Sequence, residues 1–469
     1  MVFLKLQKSL NSNKDWPQIL IIMIVCLGPF NIGTLFAWTS PSIPILLSNS
    51  SYMEPLTQSE VSYLTMLSPI GVLIPLPLIS GIGKFFGNKN LIIVQSVPVV
   101  ISWLLVIFAK SAWELYISRV LSGIGEAFLY AAVPAYVGEI STPHVRGIWG
   151  NGISLFFYVG HLFVNIVGSY CDILTTAYVC IWIPIFAALL TCFIPEAPQH
   201  YLKKGQIEKA RNCLQIIRWN KNVDEELNII KTNVVDQKIG TCKDVFLISK
   251  NLRGVIIALL TRGFQPLSGY AAIVFYNQYI FEEADAKLSA STSAIIYTGL
   301  QVICIIIFFF FSEKMGRRRS LMFSALGCAI GVAIVAVYFY LDFNTELNVS
   351  SINWLPLLGL IVFVVSFSFG LCSIPTLMMS EVIPLTVKHQ ALCVVMALYA
   401  PLMILSTQLF HVLGSNFGMY APFCFYAACN VLIIIVCYFF VPETKGKTLE
   451  QIQDDIDTLT SKNKKQIVS

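Results

Sequence analysis

Charged side chains are scarce. Asp, Glu, Lys and Arg make up 12% of the 469 residues, about half the ~25% of an ordinary soluble domain. With 56% apolar residues and a mean hydropathy of +0.73, a disordered chain and a water-soluble globule are both excluded: too few polar side chains remain to cover a surface. The net charge is only +5 and forms no basic patch, so no nucleic-acid partner is expected. No phosphate-binding Gly-x-x-x-x-Gly-Lys loop, metal-ligand cluster or nucleophile motif stands outside the apolar runs. That argues against an enzyme, a resident metal or cofactor, and an ATP-driven pump. The first apolar run is too long for a cleavable signal, so a first transmembrane helix is expected there instead. Thirteen cysteines are present, but most lie inside apolar runs and read as small buried hydrophobes.

Twelve runs have the ~20 apolar residues that a bilayer-crossing helix requires: 17–38, 59–81, 90–109, 112–138, 147–170, 175–194, 254–280, 290–312, 319–341, 354–380, 389–412 and 418–441. The bilayer is the solvent, and an all-α membrane protein of twelve transmembrane helices is expected. An even number of spans places both termini on one side. Apart from Lys110, Lys287 and the intramembrane Arg119 and Arg262, every Lys and Arg falls on that side, which makes it cytoplasmic. The two Asn-x-Ser/Thr sequons, at Asn49 and Asn348, both fall in loops on the other side, where glycosylation is possible. Residues 195–252 form a charged linker with short amphipathic helices. It separates six-span halves at 1–194 and 253–441, and a cytoplasmic tail occupies 442–469.

The second half repeats landmarks of the first. Gly83 to Lys89 after span two resembles Glu313-Lys314-Met315-Gly316-Arg317-Arg318 after span eight. Glu139 precedes Arg146 by seven residues, as Glu381 precedes Lys388. Pro195-Glu196-Ala197-Pro198 resembles Pro442-Glu443-Thr444-Lys445. Such a duplication, with a site between the halves, is the architecture of alternating-access transporters. Glu139 and Glu381 are read as partners for cations at neighbouring helix ends, among them Arg146, Arg317, Arg318 and Lys388, forming with Glu313 a set of gating ion pairs. Arg119, also in the ion-pair set, is a possible partner for Glu126 within span four.

Three further patterns complete an ordered set: Arg119-x-x-x-Gly123-x-Gly125, Pro134-x-Tyr136-x-x-Glu139, and Gln265-x-x-Ser268-Gly269 with Tyr276. Over essentially the whole chain this set resembles the sugar porter family of the major facilitator superfamily. Ala37-Trp38-Thr39-Ser40-Pro41 is similar to the insect facilitated trehalose transporter group. The resemblance implies the major facilitator fold, a small-molecule sugar as substrate, and a cavity that includes Gln265, Tyr276 and Gln301. It also places Ser154, Thr376 and Tyr399 at positions where the family carries glutamine, tryptophan and asparagine.

Independently of the family, Asn151, Ser154, Tyr158, His161 and Asn165 recur at helical spacing and mark a polar stripe on span five. Such a stripe is either a cavity wall or polar glue to a neighbouring helix. The family's proton-coupled members carry an aspartate in span one where this chain has Leu35, so passive uniport of a sugar is expected. Two alternatives stand beside it: a sensor that binds sugar without carrying it, and a proton symporter that uses Glu126.

Overall fold

The computed structural model describes residues 15–79, 86–149, 152–220, 222–236, 242–284, 288–311, 316–345, 349–445, 447 and 451–452. Among them all regular structure is helical, and ten helices are long and apolar enough to cross a membrane. Six fall before the linker: Trp16–Leu47, Gln58–Ile79, Asn88–Phe108, Ala112–Ile140, Gly152–Tyr170 and Ile173–Phe193. After it come spans eight (Ala290–Phe311), nine (Arg317–Asn344), eleven (Lys388–Phe417) and twelve (Tyr420–Phe440). The two remaining spans are interrupted. Span seven runs as Ser249–Leu267, Tyr270–Phe275 and Asn277–Glu283, and span ten as Leu355–Ser368 and Ile374–Val382.

Several boundaries depart from the hydropathy pattern. Runs 254–280 and 354–380 read as continuous because apolar residues cross the breaks, and hydropathy is blind to backbone direction. Span one was expected to end near Trp38. Trp38 keeps helical dihedrals, and the chain continues as a helix to Leu47. Span five was expected from 147, but a separate helix Pro143–Trp149 precedes Gly152–Tyr170. Cys192 and Cys424 are exposed rather than buried; on a membrane span, apolar side chains face lipid as readily as core.

The chain forms two compact units. The first comprises residues 1–36, 71–167 and 171–238; the second comprises 37–70, 168–170 and 239–469. In the first unit, spans one and five touch backbone to backbone. A Cβ on Gly33 would lie 2.1 Å from the Phe157 carbonyl oxygen, and one on Gly160 2.2 Å from that of Phe30, so only glycine permits this approach. Span four opens with a capping box, in which Ser111 and Glu114 each satisfy the other's backbone N–H. The linker folds as the helices Pro198–Lys203, Ile207–Arg218 and Asp224–Asp236 around a small core of Ala210, Leu214, Val223 and Leu227. The second unit contains both interrupted spans, together with Thr39–Leu47 and the beginning of span two.

Candidate functional site

Span seven stops because Pro266 and Gly269 stand three residues apart. Pro266 has no N–H to continue the helical ladder, and Gly269 adopts φ +95°, a left-handed value that side chains resist. A Cβ there would also lie 2.7 Å from the Tyr426 ring. Inside a bilayer each freed backbone group needs a protein partner. Ser406 Oγ donates to the Pro266 carbonyl at 2.6 Å and Asn430 Nδ2 to that of Ser268 at 3.1 Å. At the break in span ten, Leu371 N–H donates to Ser324 Oγ of span nine at 3.0 Å.

Gln265 joins the two breaks. Its Nε2 donates to the carbonyls of Leu371 at 2.6 Å and Cys372 at 2.8 Å, while its Oε1 accepts from the Arg262 guanidinium. Arg262 also reaches Thr376 Oγ1 at 3.4 Å and lies 4.4 Å from the centre of the Tyr399 ring. The structure therefore brings together Gln265, Thr376 and Tyr399, with Arg262 at their centre. Arg262 and Gln265 are buried, Tyr399 is half-buried and Thr376 is exposed. Gln301 is fully buried, and neither its amide nitrogen nor its amide oxygen has a hydrogen-bond partner. It stands one turn after Tyr297, whose hydroxyl is within electrostatic reach of Cys372 at the span-ten break.

Tyr276 belongs to a different cluster. Its hydroxyl is 3.3 Å from Thr65 Oγ1 and its ring stacks on Phe410 at 4.9 Å. Beside it, Ser62 Oγ donates to Gln408 Oε1 at 3.0 Å, and Gln278 Nε2 donates to Ser169 Oγ at 3.1 Å. In the first unit His161 is fully buried in an aromatic cage: Phe36 stacked at 5.4 Å, Phe157 at 4.6 Å and Tyr158 at 5.2 Å. Neither ring nitrogen has a hydrogen-bond partner, and Asn165 caps the His161 carbonyl at 2.9 Å. Ser154 is half-buried on the same span. Arg119, also buried, donates to the Leu35 carbonyl of span one at 2.5 Å.

The helix ends carry the other predicted residues. Glu139 accepts from Asn88 Nδ2 at 3.0 Å, and Arg146 donates to the Gly138 and Ser141 carbonyls at the end of its own preceding helix. Arg317 forms an ion pair with Glu381 at 3.7 Å, and Thr444 Oγ1 donates to the same carboxylate at 2.6 Å. Arg318 reaches the Tyr438 carbonyl, and Lys388 opens span eleven. Asn49 is exposed. Glu313, Asn348, Asn151 and the Gly83–Phe85 stretch lie outside the described residues. Among those residues no cluster of His, Cys, Asp or Glu is arranged to hold a metal.

Three contributors escaped the sequence reading. Arg262 was noted as intramembrane but not placed in the site, although a cation in an apolar run three residues before a glutamine is a signal in itself. Glu196 and Glu443 cap the starts of spans three and nine. Glu196 accepts from Lys89 N–H at 3.1 Å and Ala197 N–H at 3.0 Å; Glu443 accepts from Arg317 N–H at 2.7 Å and Arg318 N–H at 3.3 Å. A carboxylate at a helix N-terminus meets unpaired amides and the positive end of the dipole. Burial nevertheless pushes the Glu196 carboxyl above its ordinary range, against those hydrogen bonds and Lys89. The repeated Pro-Glu dipeptides were the available signal.

Twelve spans, two of them broken around a polar cluster, have the arrangement of the major facilitator fold. Solved structures agree. The xylose transporter XylE from E. coli in a partially occluded inward-open conformation superposes with a TM-score of 0.77 over 92% of this chain and 99% of that one, at 20% identity. XylE bound to 6-bromo-6-deoxy-D-glucose gives 0.73 over 95% and 99%, at 21% identity. Residues 12–456 match the family model described as "Sugar (and other) transporter", and the chain belongs to that family. It is 30% identical over 448 residues to the facilitated trehalose transporter Tret1 of Polypedilum vanderplanki, covering 93% of this chain and 88% of the relative. Tret1 of Bombyx mori is 29% identical over 93% and 86%. Against Tret1 of Aedes aegypti, at 30% identity, the chain spans about half the relative's length, 55%. The protein is a multi-pass sugar transporter, not an enzyme.

Proposed function

We propose that the protein is a uniporter that carries trehalose or a hexose down its gradient across the cell membrane, by alternating access between halves at 1–194 and 253–441. The observation that carries this reading is the polar cluster at the breaks of spans seven and ten. Sugar hydroxyls need groups that both donate and accept, and the unpartnered Gln301 amide offers both. The exposed Thr376 hydroxyl offers both again, and the Tyr399 ring supplies a face for C–H groups. Arg262 and Gln265 hold this wall in shape. Ser154, His161 and Tyr276 are assigned as further substrate contacts.

Uniport is supported where Arg119 meets span one: it finds the Leu35 carbonyl, a group with no proton to exchange. A second reading, proton symport, draws on Glu126, which is buried in span four within electrostatic reach of Arg119. The termini are cytoplasmic by the distribution of Lys and Arg, and Asn49 and Asn348 face outside as glycan acceptors. At the cytoplasmic helix ends, the Arg317–Glu381 ion pair is a contact that parts when that side opens, and Glu139, Arg146, Arg318 and Lys388 are further gating residues.

Radiolabelled trehalose, glucose and fructose, offered to oocytes expressing the protein with and without a pH gradient, test the proposal. Saturable uptake of one sugar, indifferent to the gradient, is expected. Gradient-driven accumulation would favour symport through Glu126. Surface-expressed protein that binds a sugar without carrying it would make the protein a sensor.

A further inference from the structure

Within the first unit, the linker helix Ile207–Arg218 buries Ala210, Cys213, Leu214 and Ile217. One flank stays uncovered. Lys209, Asn212, Ile216 and Trp219 recur at three- and four-residue spacing along it, and all four are exposed. Ile216 is 54% and Trp219 64% exposed. Trp219 terminates the helix at φ +49°, ψ +38°, the left-handed position where glycine is the economical choice. The chain thus holds its bulkiest side chain in an unfavourable backbone conformation and leaves most of it exposed.

Two contacts fix the depth of this ring. It packs 5.3 Å from Trp16, the first residue of span one, which is itself 47% exposed. Its neighbour Arg218 donates to the carbonyl of Ile140, the last residue of span four, at 2.8 Å. The first residue of one membrane span and the last of another both mark the boundary between hydrocarbon and water. Trp219 therefore lies at the level of that boundary, the layer where tryptophan is most favourably placed.

We propose that Ile207–Arg218 is an interfacial membrane anchor: Ile216 and Trp219 sit beside Trp16 in the headgroup layer, and Lys209 on the same flank meets anionic headgroups. An apolar-aromatic edge flanked by lysine is how surface-lying helices bind such a layer. The anchor ties the linker to the lipid as well as to the ends of spans one and four, so the leaflet's composition acts on the linker.

The test uses the full chain in nanodiscs of phosphatidylcholine with and without phosphatidylserine. The photo-crosslinking residue p-benzoylphenylalanine replaces Ile216 or Trp219 in turn, with Trp16 as the membrane control and Ile229, an exposed apolar residue of the next linker helix, as the comparison. Lipid adducts at 216 and 219 approaching those at 16, and few at 229, are expected. Adducts at 16 with none at 216 and 219 would overturn the proposal. Hydrogen exchange of the unsubstituted chain gives a readout free of folding defects: amides 207–220 should exchange roughly fivefold more slowly with phosphatidylserine present than without it. That difference should vanish in Lys209→Glu. Exchange that ignores phosphatidylserine in the unsubstituted chain would remove the charge component.

Discussion

At the scale of single residues, Gln265 carries two duties that different variants separate. Its amide hydrogens satisfy the Leu371 and Cys372 carbonyls, and its oxygen satisfies Arg262. Gln265→Ala should therefore lower stability, by about 1–3 kcal/mol for each stranded buried group, and abolish uptake as well. Thermal unfolding of purified protein beside uptake corrected for surface expression checks both; an unchanged melting temperature would refute the strut. Arg262→Lys keeps the charge but loses the planar fork that reaches Gln265, Thr376 and the Tyr399 face together, so uptake should fall at least tenfold. Near-normal transport in that variant would remove Arg262 from the site. Gln265 was legible because its motif is local. The Arg262 contacts were not, because the partners at 371–376 and 399 lie more than a hundred residues away, and only folding reveals which carbonyls a break sets free.

At the scale of elements, the breaks in spans seven and ten place the cluster, and glycine makes the first of them. Gly269→Ala combines a left-handed backbone, costing ~1–2 kcal/mol, with a Cβ 2.7 Å from the Tyr426 ring. Surface expression should drop, and any protein that reaches the membrane should transport poorly. Expression and uptake at control levels would show that the turn tolerates a side chain. The twelve spans were readable from hydropathy because length and apolarity suffice for a helix in lipid. The breaks were written only as Pro266 with Gly269, and as Gly370 with Pro375, inside otherwise apolar sequence. The cap at the start of span three makes a pH prediction. Burial raises the Glu196 carboxyl above its ordinary value of 4.5, so the folded chain holds a proton that the unfolded chain releases. Stability should therefore fall as pH rises from about 4.5 through the raised value. Glu196→Gln should flatten that slope in melting temperature against pH, and an identical slope in both proteins would assign it to other groups.

At the scale of the whole molecule, the question is what drives net movement. A proton-coupled carrier needs a group that loads and releases a proton as the site changes sides, and that group must sense the sugar or the opposing helix. Arg119 is buried and meets span one at a backbone carbonyl, which is neutral on either side of the cycle. The coarse organisation, twelve spans with duplicated landmarks, was legible because charge and hydropathy are summed over long stretches. Coupling was less so, because it depends on one side chain, Glu126, whose role follows from its neighbours rather than its identity. If Glu126 serves only as a structural partner of Arg119, uptake should equilibrate across the membrane, ignore a protonophore, and persist in Glu126→Gln with an unchanged pH profile. If Glu126 carries the proton, an inward proton gradient should concentrate sugar above its external level, and Glu126→Gln should reduce the protein to equilibration while exchange of labelled for unlabelled sugar continues. Counterflow and net uptake, measured side by side in proteoliposomes, separate these outcomes. We expect the first, because Arg119 is also held by the Leu35 carbonyl and so keeps a partner when Glu126 becomes an amide, at a cost in stability, whereas an amide has no capacity to ferry a proton.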